Sequence, residues 1–257
     1  MLPVLYRLYE NRLLRQVRLH PVPRHIGLIL DGNRRYGRQQ NLTEIQEAYT
    51  AGADKLDDLL EWSVELGVPA ITLWVLSTEN LKRASTEVSG ILAAIETKLA
   101  CLATDPQIHH RQVRVRIVGR LELLPASTVV AARAAEAATQ NYQGITLTIA
   151  AAYGGRQEIA DAVQMLLRDE MRRGARLEDV ISRVTPASIA QHLYSPDQPD
   201  PDLIIRTSGE VRLPGFLLWQ SAHSEFYFTD VFWPAFRRID FLRAVRSYQQ
   251  RQRRFGL

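Results

Sequence analysis

The sequence contains a single cysteine, Cys101, in 257 residues. One cysteine cannot form a disulfide within the chain, which fits the reducing cytoplasm, and we therefore expect a cytoplasmic protein. Because Cys101 lies in an apolar stretch with helical spacing, we expect a buried and unreactive thiol. A zinc site is not expected either, since His109 and His110 are adjacent but have no cysteine nearby.

Long apolar runs and nucleotide-binding patterns are also missing. No run of about 18 apolar residues occurs, so we expect no membrane span. Residues 1–18 mix leucines with charged residues and lack the unbroken apolar centre of a secretory signal. The sequence has no G-x-x-x-x-G-K-[ST], and no G-x-G-x-x-G follows a predicted strand. A P-loop enzyme or a dinucleotide cofactor is therefore not expected.

The charge of the chain is close to balanced, with 32 Lys and Arg against 28 Asp and Glu and a net charge of +4. The excess is concentrated near the C-terminus, where a basic segment can meet phosphate, nucleic acid or a membrane, or can be a solvated helix face. We expect no nucleic-acid partner, because other arginines lie in phosphate-type motifs described below. The basic segment contains Arg237, Arg238, Arg243, Arg246, Arg251, Arg253 and Arg254.

Short apolar runs that end at turn residues predict strands, and stretches with helical spacing lie between them. This alternation predicts a single α/β domain, a six-stranded, mostly parallel sheet covered by helices. The predicted strands are 25–30, 70–76, 113–118, 145–151, 202–206 and 216–219. The predicted helices are 45–66, 87–102, 125–141, 158–173 and 240–254.

Polar residues follow four of the predicted strands, and in parallel sheets ligands bind beyond the carboxyl ends of the strands. The first set is Asp31-Gly32-Asn33-Arg34-Arg35. Glycine allows a close backbone approach, two guanidiniums can hold one anion, and a carboxylate suits Mg²⁺ that bridges to phosphate oxygens. The set predicts a diphosphate site with magnesium, although a simple Asp-Gly turn with surface arginines is the alternative.

A second set follows the fifth strand, where Arg206 and Arg212 flank a Ser-Gly turn that could bring both guanidiniums to one anion. Glu225 lies further along the chain and could supply a second carboxylate to a metal. A surface ion pair is the alternative explanation for two arginines. Two anion sites and two carboxylates together suggest two phosphate-bearing substrates that share a metal.

Five ordered segments resemble the signature motifs of cis-prenyltransferases, the family that contains undecaprenyl diphosphate synthase. The resemblance begins at about His25 and continues to the C-terminus, so residues 1–24 are a predicted helical extension and residues 25–257 the predicted catalytic domain. Leu5-Tyr-Arg-Leu-Tyr9 and the Asp-Gly-Asn-Arg-Arg form of the first motif are similar to short-chain members that make Z,E-farnesyl diphosphate. The motifs lie at 25–36, 76–83, 152–159, 200–213 and 216–234.

The resemblance implies an Mg²⁺-dependent prenyl diphosphate synthase, with roles that pass to the matching positions. Asp31 would bind Mg²⁺ and assist departure of the leaving group, and Glu225 would complete the metal site. Ser77 and Asn80 would lie near the reacting carbons. The residues that would bind or support the substrates are Gly32, Asn33, Arg34, Arg35, Tyr49, Arg83, Arg206, Arg212, Arg254 and Gly256.

In this family the C-terminal Arg-x-Gly tail, here Arg254 and Gly256, reaches into the partner subunit, so a homodimer is implied. The resemblance also implies an apolar tunnel for the growing chain. Helices 45–66 and 87–102 would line it, although the same residues would serve equally well as core.

Two departures from the family pattern bear on the reaction. Tyr49 stands where the family usually has histidine, and Pro214 stands where a serine hydroxyl helps bind isopentenyl diphosphate. Proline has neither a hydroxyl nor an N–H. We expect condensation of geranyl or dimethylallyl diphosphate with isopentenyl diphosphate in the Z configuration, giving a short product such as Z,E-farnesyl diphosphate. The alternative is head-to-middle coupling of two allylic diphosphates to a branched, lavandulyl-type product.

A non-catalytic partner subunit is a further alternative, since some relatives have that role. The retention of the charged motif residues argues against it. These are Asp31, Arg35, Arg206, Arg212 and Glu225.

Overall fold

The computed structural model describes residues 2–212 and 215–251. Its centre is one sheet of six strands, ordered β3-β4-β2-β1-β5-β6, in which every neighbouring pair is parallel. The predicted α/β architecture is therefore confirmed, and the sheet is wholly parallel. The strands are β1 (His25–Ile29), β2 (Ala70–Trp74), β3 (Arg114–Val118), β4 (Thr146–Ala150), β5 (Leu203–Arg206) and β6 (Glu225–Phe228).

Ten α-helices occur in the described part of the chain, and those with clear apolar spacing were predicted to within a few residues. The short helices α2, α5, α8 and α9 were not predicted, because they lack a repeating apolar face. The helices are α1 (Leu2–Arg18), α2 (Asn33–Gln39), α3 (Ile45–Leu66), α4 (Ser85–Thr104), α5 (Pro106–His110), α6 (Ala126–Thr139), α7 (Gly155–Arg172), α8 (Leu177–Arg183), α9 (Pro186–Ala190) and α10 (Arg238–Gln250).

The prediction of a strand at 216–219 is wrong, because the sixth strand is β6. Phe216 and Leu217 are buried, and the Phe216 ring stacks on Trp74. Leu217 has a positive φ of 45°, which an extended strand does not allow. The apolar character of this segment therefore reflects packing against the sheet.

Successive side chains of a strand point to opposite faces, so each central strand supplies both layers of the core. Leu28 and Ile205 belong to the larger core under α3, α4 and α6, whereas Ile29 and Ile204 belong to a smaller aromatic cluster on the other face. The exposed Cys101 contradicts the expectation of a buried thiol, because it lies on the outer side of α4.

The N-terminal helix α1 packs against α10, and its residues Leu13 and Val17 are buried within the larger core. The domain boundary placed at residue 24 stays a prediction. None of the helices within the described ranges has the length and apolar character needed to cross a membrane.

The edge strand β3 is covered by side chains of α6. The Val115 N–H donates to Thr139 Oγ1 at 3.0 Å, and the Ile117 N–H donates to Glu136 Oε1 at 2.9 Å. Backbone donors at a sheet edge would otherwise face solvent or another strand. The helix thus satisfies two donors that no further strand of this sheet accepts.

Candidate active site

The two sets of polar residues meet where the strand order reverses. After β1 the chain passes to β2 on one side, whereas after β5 it passes to β6 on the other, so the crevice of this sheet lies between β1 and β5. Asp31 follows β1, and Arg206 ends β5. The topology therefore brings these two residues to the same point of the carboxyl edge.

Asp31 and Arg206 form a close ion pair. Arg206 Nε and Nη2 lie 2.9 and 2.8 Å from Asp31 Oδ2, and Arg206 Nη1 donates to the Arg212 carbonyl oxygen at 2.6 Å. The Arg206 side chain is 4% exposed, whereas that of Asp31 is 37% exposed. A buried guanidinium needs such partners. Arg206 therefore fixes the carboxylate and the 206–212 loop, while Asp31 stays accessible.

The backbone around Asp31 is fixed from two sides. The Asp31 carbonyl accepts from Thr207 Oγ1 at 2.8 Å and from the Trp233 N–H at 3.0 Å. The next residue, Gly32, has φ 102°, and a Cβ there would lie 2.7 Å from the Phe232 ring. Only glycine fits this position without strain. The chain can then turn directly into α2, which carries Arg34 and Arg35.

Arg35 reaches across to the 206–212 loop. Its Nη2 lies 2.6 Å from Ser208 Oγ and its guanidinium 3.7 Å from Glu210, while Arg212 lies 3.5 Å from Glu210 on the other side. Glu210 thus occupies the space between two predicted diphosphate-binding arginines. Sequence reasoning assigned Glu210 no role, although its position between Arg206 and Arg212 was a usable signal.

A second carboxylate that the sequence reasoning missed is Glu87 in the first turn of α4. It accepts from Arg83 at 2.7 Å and from the Tyr49 hydroxyl at 2.9 Å, and it lies 3.5 Å from Arg34. Burial and the hydrogen bond to Glu87 raise the pKa of Tyr49, so its hydroxyl stays protonated and donates. Glu87 therefore contacts three predicted substrate-binding residues and holds them close to one another.

Ser77 and Asn80 fix each other in the loop after β2. The Ser77 N–H donates to Asn80 Oδ1 at 3.0 Å, and the Asn80 N–H donates to Ser77 Oγ at 3.1 Å. The Thr78 N–H also donates to the Tyr153 carbonyl. This loop is therefore held at the same sheet edge as Asp31.

An apolar cavity opens beside these loops, between α3, α4 and the sheet. About 600 Å³ of space, part of it open to solvent, lies between the residues that line it. Asn33 and Tyr49 line it near the carboxyl edge, and α3 and α4 line it farther down, as the predicted tunnel requires. Among the described residues, the buried Asn33 Oδ1 finds no hydrogen-bond partner.

Glu225 does not join Asp31 within one chain. It is the first residue of β6 and lies opposite Leu203, at the amino end of β5, whereas Arg206 is at the carboxyl end. The rise of about 3.3 Å per residue separates these levels by roughly 10 Å. The Glu225 carboxylate instead pairs with Arg251. The expectation that Glu225 completes the Asp31 site is thus not met in a single chain, because the register of β6 places Glu225 at the other end of the strand pair.

The donor groups at the Asp31 site fit a magnesium ion that is held by one carboxylate together with waters and substrate phosphates. The described residues hold no cluster of three His, Cys, Asp or Glu side chains that could form an all-protein metal site. Mg²⁺ is commonly bound by one or two carboxylates together with waters and substrate phosphates. The accessible Asp31 carboxylate beside several arginines fits that arrangement. The remaining predicted residues, Arg254, Gly256 and Pro214, lie outside the described residues.

The sequence model of a family described as "Putative undecaprenyl diphosphate synthase" matches residues 29–256. The chain belongs to this family. It is 53% identical to a (2Z,6E)-farnesyl diphosphate synthase from Thermobifida fusca, over 98% of this chain and 97% of the relative. It is 51% identical to an isoprenyl transferase from Deinococcus radiodurans, over 96% of this chain and 90% of the relative. The resemblance inferred from the five motifs is therefore confirmed.

A solved structure shares both the fold and part of the sequence of this prenyltransferase. It is lavandulyl diphosphate synthase from Lavandula x intermedia in complex with dimethylallyl diphosphate, with a TM-score of 0.83 and 31% identity. The match covers 92% of this chain and 99% of the plant chain. This chain is therefore similar both to a relative named for a farnesyl product and to a structure named for a lavandulyl product.

Proposed function

We propose that this prenyltransferase condenses an allylic diphosphate with isopentenyl diphosphate in the Z configuration and releases a short product of the Z,E-farnesyl type. The observation that carries the proposal is the pairing of a charged mouth, built around Asp31 and Arg35, with an apolar cavity directly beside it. A diphosphate and a prenyl tail need these two environments side by side. The name of the Thermobifida fusca relative supports the short product.

The charged groups at the mouth suit departure of a diphosphate. Mg²⁺ bound at Asp31 would supply charge that stabilises the leaving group. Arg34 and Arg35 at the start of α2 would hold the allylic diphosphate, and fixed guanidiniums stabilise negative charge as it develops on the leaving oxygens. Asn33 would lie where the diphosphate meets the cavity, and Gly32 would provide the turn that brings these residues together.

The carbon chemistry would take place at the boundary between mouth and cavity. The cavity would exclude water from the allylic cation, and Ser77 and Asn80 would position the reacting carbons. Arg212, whose side chain is 72% exposed, would bind the second diphosphate together with Arg206. The double bond of the second substrate would attack the cation, and the proton lost from the new chain would pass to a diphosphate oxygen.

Product analysis tests this proposal directly. The purified protein is offered geranyl, dimethylallyl and isopentenyl diphosphates together with Mg²⁺, and the products are identified by mass spectrometry and NMR. We expect a linear product with a new Z double bond. A protein that consumes none of these diphosphates would refute the proposal.

Head-to-middle coupling of two allylic diphosphates is the second candidate. Similarity to lavandulyl diphosphate synthase favours it, as does Pro214, which replaces a hydroxyl donor of the isopentenyl site. The same experiment separates the two, because a branched product from dimethylallyl diphosphate alone requires this chemistry.

We also propose that the enzyme is a cytoplasmic homodimer. Its lone, exposed cysteine fits a reducing compartment. The Arg254 and Gly256 tail motif supports a site completed by a partner subunit. Analytical ultracentrifugation of wild type and of a variant that lacks residues 252–257 would show whether the dimer forms and whether activity depends on the tail.

A further inference from the structure

The cavity has a defined direction from mouth to deep end. Helices α3 and α4 both begin near the carboxyl edge of the sheet, because they follow the ends of β1 and β2, and both run away from it. Tyr49 of α3 contacts Glu87 at the mouth. A rise of about 1.5 Å per residue places Asp57 about 12 Å farther along α3 than Tyr49. Residues at the level of Asp57 therefore mark the deep end.

A lysine lies on the wall at that deep end. Lys98 of α4 lines the cavity, and its Nζ lies 2.6 Å from Asp57 Oδ1 of α3. The Lys98 side chain is 12% exposed and that of Asp57 is 57% exposed. The aliphatic stem of Lys98 therefore borders the cavity, while Asp57 holds the ammonium at the outer side.

This pair differs in chemistry from the wall around it. Among the described residues that line the cavity, Lys98 is the only one with a charged side chain. Its neighbours at the same depth are apolar, including Leu56, Ile95 and Leu99. An apolar chain that extended past them would have to displace the ion pair or strip water from an ammonium, and burial of an unpaired charge is strongly unfavourable.

We propose that the Lys98–Asp57 ion pair closes the deep end of the cavity and stops elongation of the prenyl chain. This inference rests on the proposed Z-elongation function and assigns the product-length determinant within the same site. The pair joins the two helices that form the cavity walls, so it limits both the length of the cavity and the separation of α3 and α4. Neither residue touches the charged mouth.

The test compares product lengths in Lys98→Met and Lys98→Leu. Both substitutions remove the charge and introduce an apolar side chain of similar length or volume. Lys55→Met is the matched control, because Lys55 pairs with Asp58 on α3 at 2.6 Å but does not line the cavity. Each protein receives geranyl diphosphate, excess isopentenyl diphosphate and Mg²⁺, and chain lengths are measured by liquid chromatography with mass spectrometry.

We expect the ratio of longer products to the wild-type product to rise about tenfold in the Lys98 variants, which corresponds to about 1.4 kcal/mol. Lys55→Met should keep the wild-type distribution of product lengths. Unchanged product lengths in folded Lys98→Met and Lys98→Leu would overturn the inference. Absence of any condensation by wild type would instead refute the proposed function, so the two failures are distinguishable.

Discussion

Buried polar groups are satisfied in different ways at the mouth of the cavity and in the packed interior. At the mouth, the partly exposed Asp31 and the buried Glu87 are both paired with arginines. In the interior, Glu158 accepts from the Tyr153 hydroxyl, from Gln220 at 3.0 Å and from the Tyr194 N–H at 3.1 Å, all of them neutral donors. Burial raises the pKa of Glu158. The two carboxylates at the mouth are therefore held by charged donors, whereas Glu158 is held by neutral ones.

The largest effect is expected from removal of the carboxylate at the mouth. Asp31→Ala should lower kcat/KM about 10³-fold, or about 4 kcal/mol, because a charge-stabilising group at the leaving diphosphate is lost. Steady-state assays with geranyl and isopentenyl diphosphates measure this. Asp58→Ala, which changes a half-exposed carboxylate of α3, serves as control. A fully active Asp31→Ala protein would contradict the assignment.

A substitution in the interior network should lower the stability of the fold. Glu158→Gln places an amide among donors that need acceptors, so the free energy of unfolding should fall by about 3 kcal/mol. Urea unfolding monitored by circular dichroism measures the loss. The exposed Glu178→Gln is the control and should change stability by no more than about 0.5 kcal/mol. Equal stabilities of the two variants would show that the network contributes little.

A second interior group, His25, makes the free energy of unfolding depend on pH. His25 contacts the Pro199 carbonyl at 2.6 Å and Thr72 Oγ1 at 2.8 Å, and burial lowers its pKa from 6.5 to about 4. Between these values the unfolded chain binds a proton that the native chain does not, so stability falls as the pH falls. Between pH 7 and 5 the histidine should account for a loss of about 2 kcal/mol.

Comparison with His25→Gln isolates the contribution of His25 from that of the carboxylates. Urea unfolding at pH 7 and pH 5 should show a smaller decrease for this variant by about 2 kcal/mol. Parallel decreases in wild type and variant would mean that His25 has an ordinary pKa in the native state.

The smallest effect is expected at Glu87. Its substitution tests whether Glu87 supports substrate binding by holding Arg34 and Arg83. Glu87→Gln keeps an acceptor for the Tyr49 hydroxyl but loses the charge that holds Arg34 and Arg83. The KM for the allylic diphosphate should rise about tenfold, or about 1.4 kcal/mol, with a smaller change in kcat. Glu96→Gln on the same helix, bonded to Ser127 on α6, is the control. Identical KM values for the two variants would assign Glu87 a purely structural role.

Sequence patterns were sufficient to predict the alternation of strands and helices and the family, because buried strands and five ordered motifs leave strong local signals. The family resemblance assigns Glu225 to the Asp31 site, whereas the register of β6, which separates the two residues within one chain, has no signature in the sequence. The apolar segment at Phe216 resembled a strand, since the positive φ of Leu217 has no signature in the sequence. Glu87 was missed because helical spacing does not reveal which face of α4 meets α3.

The coverage of β3 by α6 has a consequence for self-association. Strands from another molecule add to a sheet by accepting from its free edge donors, and at β3 two of these donors already bond to Thr139 and Glu136. Fibre growth by edge-to-edge pairing at β3 would first require the detachment of α6. Removal of these two side chains would leave the Val115 and Ile117 N–H groups without acceptors from α6, at a sheet edge that β4 and β2 separate from β1.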